Sequence, residues 1–434
     1  MDAQKLQTKF KEIWQKFDFF PSSKICVAVS GGADSMALLS LLINAVNNDR
    51  LHVITINHKL RPEAEEEANF VNSFCASNKI RHEILAWPEN RPLARNQNEA
   101  REVRYDLINQ YCKQYNIINI ITAHHKDDVI ENFFIRINRG SGLRGVANSL
   151  EFENYNISEN IKLIKPLLNF NKKNLIEYLE YHKISWKEDA SNFNDKYLRN
   201  RIRANLNVLD LNLENLFTTI LNLSLTNINY ENRLNELEVN CIRIHPFKLA
   251  EIDLNKFLKY SVIDQGRIIA DIIKLIGEVK YTPRFSSIVE IINSIKSGFK
   301  FKTLGNCLLE INNNILHVYP EYKFNKEKTV YFKENIIIEG FYVKNISINE
   351  HYNITPLTPE IWKKIKREFK NIPKIVEKIR YFLPIILDSN LNISSTMITC
   401  IKNNNIKMYW QPRQSLSKLN SQERSRELIN LLHT

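Results

Sequence analysis

Residues 24–45 read KICVAVSGGADSMALLSLLINA. Ile25, Val27 and Val29, with Cys26 and Ala28 between them, make an apolar run without a polar face, as in a parallel strand buried on both sides. The run from Met36 to Ile43, rich in Leu, predicts a helix, with Asp34 or Ser35 placed to cap its first turn. Between strand and helix lies Ser30-Gly31-Gly32-Ala33-Asp34-Ser35. Adjacent glycines let the backbone turn sharply and approach an anion, while the helix start adds unpaired N–H groups and a partial positive charge. This reads as a phosphate site. It is not a Walker loop, because no Gly-Lys-Ser/Thr follows at the required distance, and it lacks the third glycine of the dinucleotide fingerprint.

The same alternation continues outward. Leu51–Asn57 is a second strand, ending in His58-Lys59-Leu60-Arg61 where an open α/β sheet presents ligand-facing groups. Helices are expected at 63–77 and 98–115, with Arg101, Arg104 and Tyr105 neighbouring one another on the latter, and a strand at 80–85. Ile117–Thr122 is a β-branched strand, followed by Ala123-His124-His125-Lys126-Asp127-Asp128 and a helix from Val129 to about Asn138. Ionisable groups again crowd just past a buried strand. Each has a plainer reading, a loop-closing histidine or an N-cap at Asp127, but four within five residues favour chemistry. RGSGLRG at 139–145 is a glycine-rich basic loop, with Arg139, Arg144 and the preceding Arg136 able to meet phosphates. A strand at 161–168, a helix at 171–182, a turn-forming run around Asp189 to Asp195 and a helical stretch opened by Tyr197 to Arg203 complete an α/β unit with a mainly parallel sheet.

Beyond Leu211 the pattern changes. Leucine-rich helices occupy about 212–239, a smaller helical unit starts near Phe247 and continues to Lys296, and residues 299–318 form a closing hairpin with its turn near Asn312 and Asn313. The last third mixes short strands (329–332, 336–338, 341–346) with helix-like 358–370 and 373–379. Three domains are expected: 1–210, 211–325 and 326–434.

The 434 residues are 44% hydrophobic and 25% charged, a globular composition. Six scattered cysteines without a CxxC pair suggest neither a zinc site nor a redox pair. No uncharged apolar run of about 18 residues occurs, and the first residues read as an amphipathic helix, so a cytoplasmic protein with no membrane partner is expected. The formal charge of +12 favours a polyanionic partner. From Ile361 onward fourteen basic residues stand against five acidic ones, so nine of those charges lie in this segment, together with Tyr381, Phe382, Tyr409 and Trp410, which could stack on bases.

The SGGADS loop resembles that of the PP-loop pyrophosphatases, which split ATP between its α- and β-phosphates. With NHKLR at 57–61, EAREVRY at 99–105, TAHHKDD and Glu131 at 122–131, RGSGLRG at 139–145, IKPLL at 164–168, EDASN at 188–192 and RNRIR at 199–203, the chain resembles the bacterial tRNA(Ile)-lysidine synthetases, a branch of that family. Residues 245–320 resemble their middle domain. The C-terminal part, with KKIKREF at 363–369 and IPKIVEKIR at 372–380, resembles a diverged tRNA-contacting domain that lacks the usual tryptophan-arginine signature.

The resemblance implies ATP and Mg²⁺ as cofactors, free lysine and a tRNA(Ile) with a CAU anticodon as substrates, and no obligatory protein partner. The implied reaction adenylates the oxygen on C2 of cytidine 34, releasing pyrophosphate, and the lysine ε-amino group then displaces AMP from C2. Ser30, Gly31, Gly32, Ala33, Asp34 and Ser35 would hold phosphate, and Asp34 and Asp128 the metal. Asp34, His124, Asp127 and Asp128 are the candidate catalytic groups, with His125 beside them. Arg104, Arg139, Asn200, Arg201 and Arg203 are candidate phosphate or base contacts, and Asp189 a partner for the amino acid or an arginine. Rival readings are a PP-loop tRNA thiolase, which would normally carry paired cysteines, a small-molecule amidating ligase, and a tRNA-binding protein with an inactive nucleotide fold.

Overall fold

Strand β1 (Ile25–Ala28) is the middle of a five-stranded parallel sheet in which β2 (Leu51–Asn57), β3 (Arg81–Ala86), β4 (Asn119–Ile121) and β5 (Lys162–Ile164) take the order β3-β2-β1-β4-β5. The computed structural model describes residues 2–17, 23–57, 63–87, 97–150, 161–188, 198–208, 211–245, 248–279, 281–321, 330–332, 336–338, 341–345, 352–368, 383–387, 393–396 and 406–410. The 58–61 and 189–197 motifs and the helix expected at 373–379 lie outside these residues.

Helices α1 (Ala3–Gln15), α2 (Ala33–Ile43), α3 (Glu63–Ser77), α4 (Gln97–Tyr115), α5 (Lys126–Asn138), α6 (Leu143–Ala147), α7 (Lys172–Tyr181), α8 (Leu198–Val208) and the long α9 (Leu213–Cys241) surround or follow the sheet. The two faces of β1 explain its unbroken apolarity. Ile25 and Val27 pack with α1, α2, α3 and α7, whereas Cys26 joins Ile54, Ile120 and the α4 residues Tyr105, Ile108 and Cys112 on the other face. Buried on nearly every side, α2 contributes Met36, Leu38, Leu39, Leu41 and Leu42 to the first of these cores. Each such side chain stabilises the fold by about 2 kcal/mol when fully buried. The sheet order reverses its winding between β1 and β4, and this opens a crevice at their C-terminal ends. The Ser30–Ser35 loop and residues 122–125 both emerge there.

The chain divides into two compact units within α9, between Asn229 and Tyr230. In the second unit β6 (Ile242–His245), β7 (Leu249–Asp253), β8 (Phe301–Leu304), β9 (Cys307–Asn312) and β10 (Ile315–Pro320) form an antiparallel sheet of order β6-β7-β10-β9-β8, accompanied by α10 (Leu254–Phe257), α11 (Val262–Ile276) and α12 (Phe285–Ser297). The expected hairpin is β9–β10, whose two turn residues, Asn313 and Asn314, both have positive φ, as a two-residue turn between twisted strands requires. Residues 249–253, read from sequence as part of a helix, form β7 instead. With only three apolar residues, Leu249, Ala250 and Ile252, so short a stretch fits either period, and pairing with both β6 and β10 decides it.

The last third contains β11 (Val330–Phe332), β12 (Ile336–Ile338), β13 (Phe341–Asn345), β14 (Tyr352–Pro356), α13 (Pro359–Glu368), β15 (Pro384–Leu387), β16 (Ile393–Thr396) and β17 (Ile406–Trp410), in two sheets of order β11-β14-β15-β16 and β12-β13-β17. Leu357, Trp362, Ile365, Leu383, Ile385 and Leu387 share one core with the middle sheet and α11 and α12. Among the described residues no helix is long and apolar enough to cross a membrane.

Candidate active site

In the glycine-rich loop, Gly31 has φ +85, a conformation that side-chain-bearing residues rarely adopt, and its carbonyl accepts the Lys187 N–H at 2.9 Å. Helix α2 is capped at Gly32, with no side-chain cap; Asp34 and Ser35 lie inside the first turn, not at the cap position expected. Ser35 Oγ instead closes the loop: it donates to the Gly32 carbonyl at 2.9 Å and accepts the Ser30 N–H at 3.2 Å. The first-turn N–H groups of α2 therefore remain directed at whatever occupies the loop.

The neighbouring strand end supplies a histidine and two carboxylates. Helix α5 starts earlier than expected, at Lys126, with His125 as its N-cap; the Asp128 carboxylate accepts the His125 N–H at 3.1 Å. The His125 ring, 1% exposed, has Nε2 at 3.5 Å from both Asp34 Oδ2 and Asp128 Oδ2, and Nδ1 at 3.3 Å from Asp127 Oδ2. Burial alone would favour the neutral ring, but Asp128, Asp127 and Asp34 outweigh it and push His125 up to about 10. The converse holds for the carboxyls: burial would raise Asp34 and Asp127, and His125 brings both below the usual carboxylate range. His124 Nδ1 lies 2.8 Å from Thr122 Oγ1.

Asp127 also bridges helices, its Oδ2 accepting the Lys172 N–H at 2.8 Å and thereby capping α7 from α5. Lys172 Nζ reaches to 3.7 Å from Asp34 Oδ2. One turn further along α5, buried Glu131 meets two arginines of α8, Arg203 Nε at 2.6 Å and Arg199 Nε at 3.1 Å. Burial raises the Glu131 carboxyl, an effect that Arg203 offsets only in part. A cavity of about 490 Å³ lies beside these groups, lined in part by Asp127, Glu131, Lys172, Glu177, Arg203 and Ile176.

The other candidate residues are spread more widely. Arg104 is exposed on α4, Arg139 is exposed at the C-cap of α5, Arg201 is exposed on α8 and Asn200 is half-buried beside it, while Asp189 lies outside the described residues. Arg136 is bound to the Gly145 carbonyl at 2.9 Å, and residues 143–145 of the expected basic loop belong to α6. Sequence motifs passed over Lys172 and the pairing of Arg199 with Glu131. For Lys172 there was a signal: two lysines in the first turn of a helix oppose its dipole and call for another reason to be there.

The oxygen donors suit Mg²⁺, which commonly takes one or two carboxylates with substrate phosphates supplying the rest. Asp34 Oδ1 is buried without a hydrogen-bond partner beside the phosphate loop, which fits such a role. Among the described residues no group of three protein ligands forms a cage by itself.

A phosphate loop at the switch point of a parallel sheet, facing a carboxylate cluster, defines a nucleotide-using domain, and a PP-loop domain model matches residues 2–209. The chain belongs to the tRNA(Ile)-lysidine synthase family. It is 33% identical over 317 residues to the tRNA(Ile)-lysidine synthase of Orientia tsutsugamushi, covering 70% of this chain and 71% of that protein. With the protein of that name from Rickettsia felis it shares 33% over 399 residues, 86% of this chain and 91% of the relative. Among solved structures, the U34-tRNA thiolase NcsA from Methanococcus maripaludis aligns with a TM-score of 0.41 and 17% identity, over 49% of this chain and 76% of that one.

Proposed function

We propose that this protein is an ATP-dependent carbon–nitrogen ligase that joins the ε-amino group of free lysine to C2 of cytidine 34 in the CAU anticodon of an isoleucine tRNA, releasing AMP and pyrophosphate. The observation that carries this reading is the convergence, at the C-terminal ends of β1 and β4, of the Ser30–Ser35 loop, the His125 carboxylate cluster and a cavity with charges of both signs. Family membership supplies the substrate class. Cytosine O2 is a poor leaving group, so it first attacks the α-phosphate of ATP and pyrophosphate departs; lysine nitrogen then forms the bond to C2 while the C2–O bond to AMP breaks.

The Ser30–Ser35 loop holds phosphate by backbone and hydroxyl donors, and Asp34 and Asp128 would hold Mg²⁺, which would supply positive charge to offset the negative charge on phosphate oxygens. One of the carboxylates Asp34, Asp127 or Asp128 accepts the proton that the lysine ammonium must lose before it attacks. The cavity suits an amino acid: Glu131 and Glu177 match ammonium groups, Arg203 and Lys173 a carboxylate, and Ile130 and Ile176 the methylene chain. On this reading residues 1–210 are catalytic, 211–325 form a middle domain, 326–434 contact tRNA, and the enzyme works in the cytoplasm without an obligatory protein partner. Arg104, Arg139, Asn200, Arg201 and Asp189 are further substrate contacts.

The test is incorporation of isotopically labelled lysine, with AMP release, on the isoleucine CAU tRNA, the same tRNA with uridine at 34, and the initiator tRNA that shares the anticodon. Lysine is expected in the first alone. Equal incorporation into all three, sulfur in place of lysine, or tRNA binding without ATP consumption would overturn the reading, the last two in favour of a thiolase or an inactive binding protein.

A further inference from the structure

Thr55 stands among Val53, Ile54 and Ile56 in β2 and is 3% exposed. A hydroxyl buried in so apolar a strand costs stability unless it is hydrogen-bonded, and this one is bonded twice. Its Oγ1 donates to the Val29 carbonyl at 2.8 Å and lies 2.9 Å from His82 Nε2 on β3, the next strand in the sheet. The hydroxyl has one hydrogen, and the carbonyl, which can only accept, takes it; the ring nitrogen is therefore the donor to Thr55. Nδ1 of the same ring is 3.0 Å from the side-chain amide of Asn72 on α3. Strand β2 pairs with β1 and β3 through its backbone, so strand pairing does not account for the hydroxyl.

Its partner does. Val29 is the first residue past β1, and its carbonyl belongs to the peptide by which the chain enters the Ser30–Ser35 loop. The other end of that peptide is held as well: the Ser30 N–H donates to Ser35 Oγ at 3.2 Å, and Ser35 Oγ donates to the Gly32 carbonyl at 2.9 Å. Because a peptide is planar, fixing its carbonyl from β2 and its N–H from the first turn of α2 fixes the direction in which the loop leaves the sheet. Gly31 then turns with φ +85, and the N–H groups of the loop and of α2 follow from that start. We propose that Thr55 is a positioning residue for the nucleotide: its hydroxyl sets the Val29–Ser30 peptide and, through it, the aim of the loop's phosphate-facing N–H groups. This rests on the loop's holding the phosphates of ATP. Buried, with both of its side-chain hydrogen bonds made to protein, Thr55 acts without touching the ligand. A turn of this peptide would carry the donors out of line with the phosphate oxygens, and hydrogen bonds weaken steeply with angle.

The test uses full-length protein and two variants with opposite losses. Thr55→Val keeps the branched shape and loses the hydroxyl, whereas Thr55→Ser keeps the hydroxyl and loses a buried methyl. Both changes lower the melting temperature, and thermal melting verifies that each variant is folded where it is titrated. Calorimetric titration with ATP and Mg²⁺ should show about a tenfold loss of affinity in Thr55→Val and near-wild-type affinity in Thr55→Ser. Adenosine, which carries no phosphate, should bind all three proteins alike. A merely structural residue would make ATP affinity follow the melting temperature. That pattern, a loss in Thr55→Ser as large as in Thr55→Val, equal ATP affinity in wild type and Thr55→Val, including none in either, or an equal loss for adenosine overturns the assignment. The titration involves neither tRNA nor lysine, so a wild type that binds ATP without forming lysidine would overturn the ligase reading and leave Thr55 in its role.

Discussion

Asp34 faces His125 and Lys172 through one carboxylate oxygen and leaves the other buried without a hydrogen-bond partner. Replacing it with Asn keeps the shape and removes the charge. Asp34→Asn is expected to fold and to lower AMP formation by at least tenfold, a loss of roughly 1.4 kcal/mol in transition-state stabilisation. Near-normal AMP release from a folded variant would sink the assignment. The loop around Asp34 was legible in sequence because its determinants are local: a glycine pair, a strand before and a helix after. His125 was legible only as a polar residue past a strand. Its burial and its link to Asp34 depend on β1 and β4 lying side by side, a relation that no spacing encodes.

At the scale of elements, α5 is the hub of the first unit. Its first turn meets α7 through Asp127 and α9 through Lys126, whose Nζ binds both oxygens of Glu214 at 2.6 and 2.8 Å; its second turn meets α8 through Glu131. Removing Glu131 leaves two arginines without their shared carboxylate. Glu131→Ala should therefore cost about 1–2 kcal/mol of stability, read from urea unfolding, since the arginines left behind are partly exposed, and a change below a few tenths would mean that α8 is held by other contacts. Sequence placed RNRIR on a helix, as α8 shows, but the pairing of Arg203 with Glu131 was not legible, since that carboxylate lies far back in the chain.

The contact between β2 and α4 carries a pH effect. His52 is buried with Nδ1 3.1 Å from the Tyr111 hydroxyl; burial, then Arg81 and Lys24, lowers it to about 4, and burial does the same for His82. Well above about 6.5 these rings are neutral in both folded and unfolded chains and contribute nothing to the pH dependence. As pH falls from there toward 4, the unfolded chain takes up protons that the folded one refuses, so stability declines. Urea midpoints at pH 7 and pH 5 should differ less in a His52→Gln, His82→Gln double variant than in wild type. An unchanged difference would assign the acid sensitivity to other groups.

For the whole molecule, the question is how a strongly basic C-terminal third is used. Deleting it from about residue 326 would strip Trp362, Ile365 and Ile385 from the core they share with the middle sheet, so loss of RNA binding would be confounded with unfolding. Helix α13 offers a cleaner experiment, since Trp362 and Ile365 point inward while Lys363, Lys364 and Arg367 are exposed. Changing these three to Gln should weaken tRNA binding and lower the slope of log affinity against log salt by about 2, each lost phosphate contact removing roughly 0.7–0.9. ATP binding should not change. An unaltered slope would move the RNA surface elsewhere. Charge was legible in sequence; which face of α13 carries it follows from Trp362 and Ile365, whereas their sharing a core with the middle sheet could not be read from composition.

The Lys126–Glu214 pair has a consequence for biosynthesis. The ribosome must read past codon 214 before α5 gains its anchor on α9, by which time the phosphate loop, both strands of the crevice and α7 have long been made. A nascent chain therefore carries the phosphate loop and its neighbouring carboxylates before α5 is braced against α9.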